Sequence, residues 1–131
     1  MKRKFYSLIH CICLFGLLLI HTGCGKSSDD AARGVLQPKE AASSLQQAFA
    51  SAPQEVKKNA DAASEALRSA QYEQAIVSLQ AMTARNDLTL DQGMAVYNSM
   101  AALEAKLIAD ADAGNANAKK TYELLKRSRR N

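Results

Sequence analysis

The chain has 131 residues, with 17 Lys and Arg against 13 Asp and Glu, which allows one small domain and no second sizeable core. Both histidines, two of the three cysteines (Cys11 and Cys13) and three basic residues (Lys2, Arg3, Lys4) lie ahead of Cys24. A chain cut before Cys24 is left near neutral at net +1, with no His, no Trp and one thiol, which excludes His-based triads, His or Cys metal sites, CxxC redox chemistry and a disulfide framework.

Residues 1–23 have the order of an export signal. A charged start, Lys2-Arg3-Lys4, precedes an apolar stretch from Phe5 to Ile20, and small Thr22 and Gly23 lead to Cys24. As a helix the stretch would span roughly 24 Å, short of the ~30 Å hydrocarbon core of a bilayer. Ile20-His21-Thr22-Gly23-Cys24 resembles a bacterial lipobox. That resemblance implies a lipoprotein: Cys24 becomes the mature N-terminus, its sulfur takes a diacylglyceryl group and its amine is acylated. Two or three acyl chains hold a protein firmly, at about 0.8 kcal/mol per buried CH₂. Gly25 after the cysteine resembles the outer-membrane sorting pattern, which implies a position facing the periplasm.

Residues 24–37 are expected to be the lipidated cysteine and a flexible tether, since Gly, Ser, Asp29, Asp30 and Arg33 leave little apolar area to order them. Residues 38–131 are expected to form an all-α domain. All 24 alanines follow Cys24, among many Gln, Glu, Lys and Leu, and no alternating β-branched run occurs.

The predicted helices follow in order. Pro38 suits the first turn of a helix to about Ala50, with Ala41, Leu45, Ala48, Phe49 and Ala52 on one face. Ser51 and Gln54 read as a capping box opening a second helix with Val56, Ala60, Ala63 and Leu67 inward. A break near Ala70-Gln71 leads to a third, lined by Tyr72, Ala75, Ile76, Leu79 and Met82. Thr89 with Gln92 caps the fourth, with Met94, Tyr97, Met100, Leu103, Leu107 and Ile108 expected inward. Gly114 is placed to end it, and a last helix from about Asn115 buries Ala118, Thr121, Tyr122 and Leu125. The large apolar groups concentrate after Tyr72, so the first helix is expected to dock weakly. Tyr72, Tyr97 and Tyr122 are expected to be core residues with the hydroxyl reaching solvent.

Ala70-Gln71-Tyr72-Glu73-Gln74-Ala75-Ile76, with Leu79 and Met82, resembles the middle of a tetratricopeptide repeat, and Ala118, Tyr122 and Leu125 echo it more weakly. The resemblance implies helical hairpins stacked for protein binding. The same apolar pattern fits a small antiparallel helical bundle, so both architectures stand open.

The candidate binding residues are Lys119, Lys120, Lys126, Arg127, Arg129 and Arg130, six cations against the one acid Glu123 between residues 119 and 131. They complement a helix C-terminus, with Glu123 and Arg127 as an i,i+4 pair, or they meet an anionic lipid or cell-wall polymer. No aromatic platform for nucleic acid accompanies them. Asp110-Ala111-Asp112 fails as a calcium loop because glycine stands at the third ligand position and Thr121 at the twelfth. The expected function is a non-catalytic interaction or scaffold module. It would be anchored in the cell envelope with no metal and no cofactor beyond the lipid on Cys24, and another envelope protein would be its partner. The alternative is a module binding anionic lipid or cell-wall polymer through its basic tail.

Overall fold

The computed structural model describes residues 34–130. The expected signal, Cys24 and the tether as far as residue 33 lie outside the described residues. Five helices follow one another: α1 (Pro38–Ala48), α2 (Gln54–Arg68), α3 (Tyr72–Thr83), α4 (Leu90–Asp112) and α5 (Ala116–Ser128). No strand occurs among the described residues, and the domain is all-α, as its composition requires. Val35, Leu36 and Gln37 are already half-buried, so the packed body begins ahead of Pro38. The Glu40 carboxylate accepts the Gln37 N–H at 3.2 Å, closing the first turn beside that proline.

Helix α1 packs on α2 and α4, α2 on α3, α3 on α4 and α5, and α4 on α5. The contact of α1 with α4 joins helices far apart in sequence and closes the first four into a ring. An open solenoid touches only its sequence neighbours, so the packing is that of a bundle. The repeat-like residues Ala75 and Leu79 on α3, and Ala118 and Leu125 on α5, are buried where each second helix of a hairpin meets its neighbours.

The ring closes through small residues. Ser99 Oγ donates to the Ala41 carbonyl at 3.4 Å, and Gln92 Nε2 donates to the Ala48 carbonyl at 3.5 Å. As α1 advances from 41 to 48, α4 therefore retreats from 99 to 92, and the two run antiparallel. Ala95, Ser99 and Ala102 share the stripe of α4 that these bonds turn toward α1, and all are buried. Residues of this size let backbones approach closely, and dispersion then accumulates over many contacts.

This arrangement corrects two expectations. Helix α1 is fully docked: Ala41, Ala42 and Leu45 have no exposed surface and Phe49 is 1% exposed. The inward face of α4 is also turned from the one expected. Met100, Leu103 and Leu107 are buried, but Met94, Tyr97 and Ile108 are 51%, 68% and 38% exposed. Choosing the largest side chains as core fails here because α1 demands small ones opposite it.

The turns follow local chemistry. Thr89 and Gln92 form the expected capping box, with Gln92 N–H donating to Thr89 Oγ1 at 3.3 Å and Thr89 N–H to Gln92 Oε1 at 3.1 Å. Ser51 is not the cap of α2. Two tight turns, Ala50 N–H to Gln47 O and Ala52 N–H to Phe49 O, carry the chain past it, and extended Pro53 takes the cap position. Gly114 ends α4 at φ +91°, with Asn115 N–H reaching back to Asp110 O at 2.9 Å. The same geometry ends α2 at Ala70, at φ +57°, with Gln71 N–H on Ala66 O at 2.9 Å. There a Cβ sits in the left-handed region that glycine occupies without strain.

Two stability measurements follow. Ala70→Gly is expected to raise stability by about 1 kcal/mol by relieving that strain, read as a higher urea midpoint; an unchanged or lower midpoint counts against the strained turn. Leu45→Ala is expected to cost about 2–5 kcal/mol, whereas a loss within about 0.5 kcal/mol, the range of ordinary surface substitutions, would mean that α1 is dispensable.

Candidate functional site

The six basic residues of the C-terminal segment are all exposed on or just beyond α5. The structure divides them by partner. Arg129 turns back to α4 and pairs with Glu104 at 2.7 Å. Lys126 pairs with Glu123 at 3.1 Å and lies 5.3 Å from the centre of the Tyr122 ring. The expected Glu123–Arg127 pair is therefore replaced by an i,i+3 pair within the same turn of helix. Lys119, Lys120, Arg127 and Arg130 meet no carboxylate within salt-bridge distance among the described residues. Cys24, the expected lipidation site, lies outside the described residues.

A second surface was not anticipated as such. On α4, Leu90, Met94, Tyr97, Ala101 and Ile108 recur at steps of four, three, four and seven along the side facing away from α1. The four large ones are exposed, Leu90 at 81%. At 100° per residue this stripe lies roughly 140° from the stripe that meets α1. The signal was present in the sequence: α4 carries apolar residues on two opposite sides, and only one of them can face the ring.

Beside this stripe a cleft of about 550 Å³ opens between the end of α3, α4 and the end of α5. Val96 and Met100 are among its apolar lining, and Tyr97 and Ala101 share it with the exposed stripe. Gly93 adds open space, since a Cβ there would meet nothing within 4 Å. Ion pairs stand at its edges: Arg85 binds Asp87 through two nitrogens at 2.9 and 2.6 Å, and Arg129 binds Glu104. The Arg85 guanidinium, hydrogen-bonded to Asp87, holds that carboxyl below the ordinary carboxylate range, and Asp87 in turn raises Arg85. The cleft thus has an apolar floor and a charged rim.

Another cleft, of about 790 Å³, lies where the α2–α3 turn meets α4 and α5. Tyr72 borders it beside the Lys106–Asp110 ion pair, and Thr121 Oγ1 donates to Glu73 Oε1 at 3.3 Å. Burial raises the Tyr72 phenol above its ordinary value, with Lys106 opposing and Asp110 adding to the effect. A phenol shifted in that direction is ionised still less at neutral pH than an ordinary one. Asp110, part of the rejected calcium loop, is engaged by Lys106. Among the described residues no three His, Cys, Asp or Glu side chains gather as a metal site, and no helix is long and apolar enough to cross a membrane.

No protein-family model, curated protein or solved structure matches the chain.

Proposed function

We propose that the protein is a bacterial envelope lipoprotein, held at the membrane through acylated Cys24, that acts without chemistry of its own as a docking module. The observation that carries the docking role is the exposed stripe on α4. Leu90, Met94, Tyr97 and Ala101 are spaced like alternate seam positions of a coiled coil, and Ile108 falls on the same register. Over those eighteen steps the stripe is roughly 27 Å long at 1.5 Å per residue. Its counterpart is an amphipathic helix of another envelope protein, whose apolar face would lie along the stripe with one edge in the adjoining cleft. Small Gly93 and Ala101 let such a helix approach closely. The Glu104–Arg129 and Arg85–Asp87 pairs at the edges would favour a partner with polar flanks.

The anchor reading rests on Thr22-Gly23-Cys24 after the apolar stretch 5–20. The tether would hold the body a short distance from the bilayer. Gly25 supports the outer membrane, facing the periplasm, as the location. A module confined to a membrane meets its partners at raised effective concentration, so a modest stripe suffices for binding.

The two halves of the proposal have separate tests. Cys24→Ser is expected to remove the added acyl mass from the purified protein. A wild-type chain whose intact mass carries no acyl groups, or whose N-terminus is not Cys24, overturns the anchor. For the docking face, a photoreactive benzoylphenylalanine replaces either Tyr97 or Val77, an exposed residue of α3, in intact envelopes. A discrete heteromeric adduct is expected from position 97, not from 77, and is expected to disappear with Met94→Lys. Equal adducts from both positions, or none from position 97, overturn it.

A further inference from the structure

Helix α5 keeps its charge on one side. At 100° per residue, Lys119, Lys120, Lys126 and Arg127 fall within about 120° of arc, centred opposite the buried residues Ala118, Thr121 and Leu125, and Arg130 follows just past the end of the helix. Four of these five cations have no carboxylate partner among the described residues. Leu124 borders the arc at 41% exposure. Together with Ala116 it supplies the apolar part of a shallow depression of about 460 Å³ among Lys119, Lys120, Glu123 and Arg127.

The charge elsewhere has the opposite sign. Residues 34–118 carry six basic and ten acidic side chains, net −4, against net +5 for residues 119–130. A uniformly basic protein binds an anionic surface in any orientation. This one is attracted through α5 and repelled over the remainder. The shape of the depression narrows the choice of partner. Residues of α5 alone line it, so no second element forms a wall to grip a peptide. A flat partner can meet the free cations and Leu124 at once along a helix roughly 20 Å long.

The geometry points to α5 as the face through which the domain lies on an anionic phospholipid bilayer, with Lys119, Lys120, Arg127 and Arg130 at the headgroup phosphates and Leu124 entering between them. This deepens the envelope reading and rests on it for the presence of a bilayer; the exposure and charge of α5 stand apart from it. Because the main apolar face of α5 is spent inside the bundle, Leu124 is the one large apolar contact and attraction of charge dominates. Apposition through α5 fixes the orientation of the whole body at the membrane.

The test uses the full chain, which contains no Trp, so that Leu124→Trp introduces the sole indole. The protein is reconstituted in vesicles of phosphatidylcholine, with or without phosphatidylglycerol, whose acyl chains are brominated to quench nearby indoles. Quenching is expected on the anionic vesicles, near absence of it on the zwitterionic ones, and its loss at about 1 M salt, where the Debye length falls to about 3 Å. Lys120→Ala with Arg127→Ala is expected to lower the ratio of apposed to free α5 by roughly thirty-fold, at about 1 kcal/mol per cation. Equal quenching on both vesicle types, persistence in high salt, or no quenching on either overturns the proposal, the last outcome leaving an acidic protein as the partner. Should Leu124→Trp disturb the fold, as judged by circular dichroism, the unsubstituted chain supplies a second readout. Lys119 and Lys120 are expected to be shielded from amine acylation on anionic vesicles only, and equal reactivity on both overturns the proposal. Sedimentation with zwitterionic vesicles in high salt reports the anchor by itself, so failure of the anchor and failure of α5 apposition are distinguishable.

Discussion

The close approach of α1 and α4 governs the rest of the molecule. Ala41 and Ala42 on one helix, and Ala95, Ser99 and Ala102 on the other, are small enough to bring the backbones together. The Ser99 hydroxyl reaches the Ala41 carbonyl across the gap. Once α4 commits its small side to α1, its larger residues divide. Met100, Leu103 and Leu107 fill the interior of the ring, while Leu90, Met94, Tyr97 and Ile108 are left outside. The exposed stripe is therefore a by-product of how the ring closes. Helices α1, α3 and α5 all pack on the inward sides of α4, and none of them covers the outward stripe.

Much of this is legible in the amino-acid sequence. Pro38, Thr89 with Gln92, and Gly114 mark their boundaries through chemistry confined to one turn, which needs no tertiary partner to be decisive. The buried sets Val56, Ala60, Ala63 and Leu67 on α2, and Ala75, Ile76, Leu79 and Met82 on α3, follow from periodicity because each of those helices has one apolar side. The phase of α4 was not legible in the same way. Both of its sides satisfy the helical period, and only the identity of the facing helix selects between them. Ser51 failed as a cap for a related reason: the turns that follow Phe49 use up the backbone a cap would need. On α5, composition gave the excess of cations but not their partners. The diversion of Arg129 to Glu104 and the capture of Glu123 by Lys126 depend on side-chain reach rather than on spacing alone.

The two candidate surfaces differ in physical kind. The α4 stripe is apolar and keeps its attraction in salt, whereas the α5 face is cationic and fades within a Debye length of a few ångströms to about 10 Å. A body steered to the bilayer by the second could present the first to a neighbour without the two competing, because one gains from desolvation and the other from counter-charge.

The closure of the ring by helices far apart in sequence also bears on how the chain folds. The hairpins α2–α3 and α4–α5 need only local contacts, and their short connecting turns close at small entropic cost. Helix α1 cannot complete its packing until residues 92–103 arrive, more than forty positions downstream of it. A chain released from its N-terminus onward therefore carries the α4-facing side of α1 uncovered until most of the domain has emerged. Non-local closure of this kind lengthens the search for the native state relative to a helical array of the same size. Within the domain, the helix whose packing is completed last is then the one translated first.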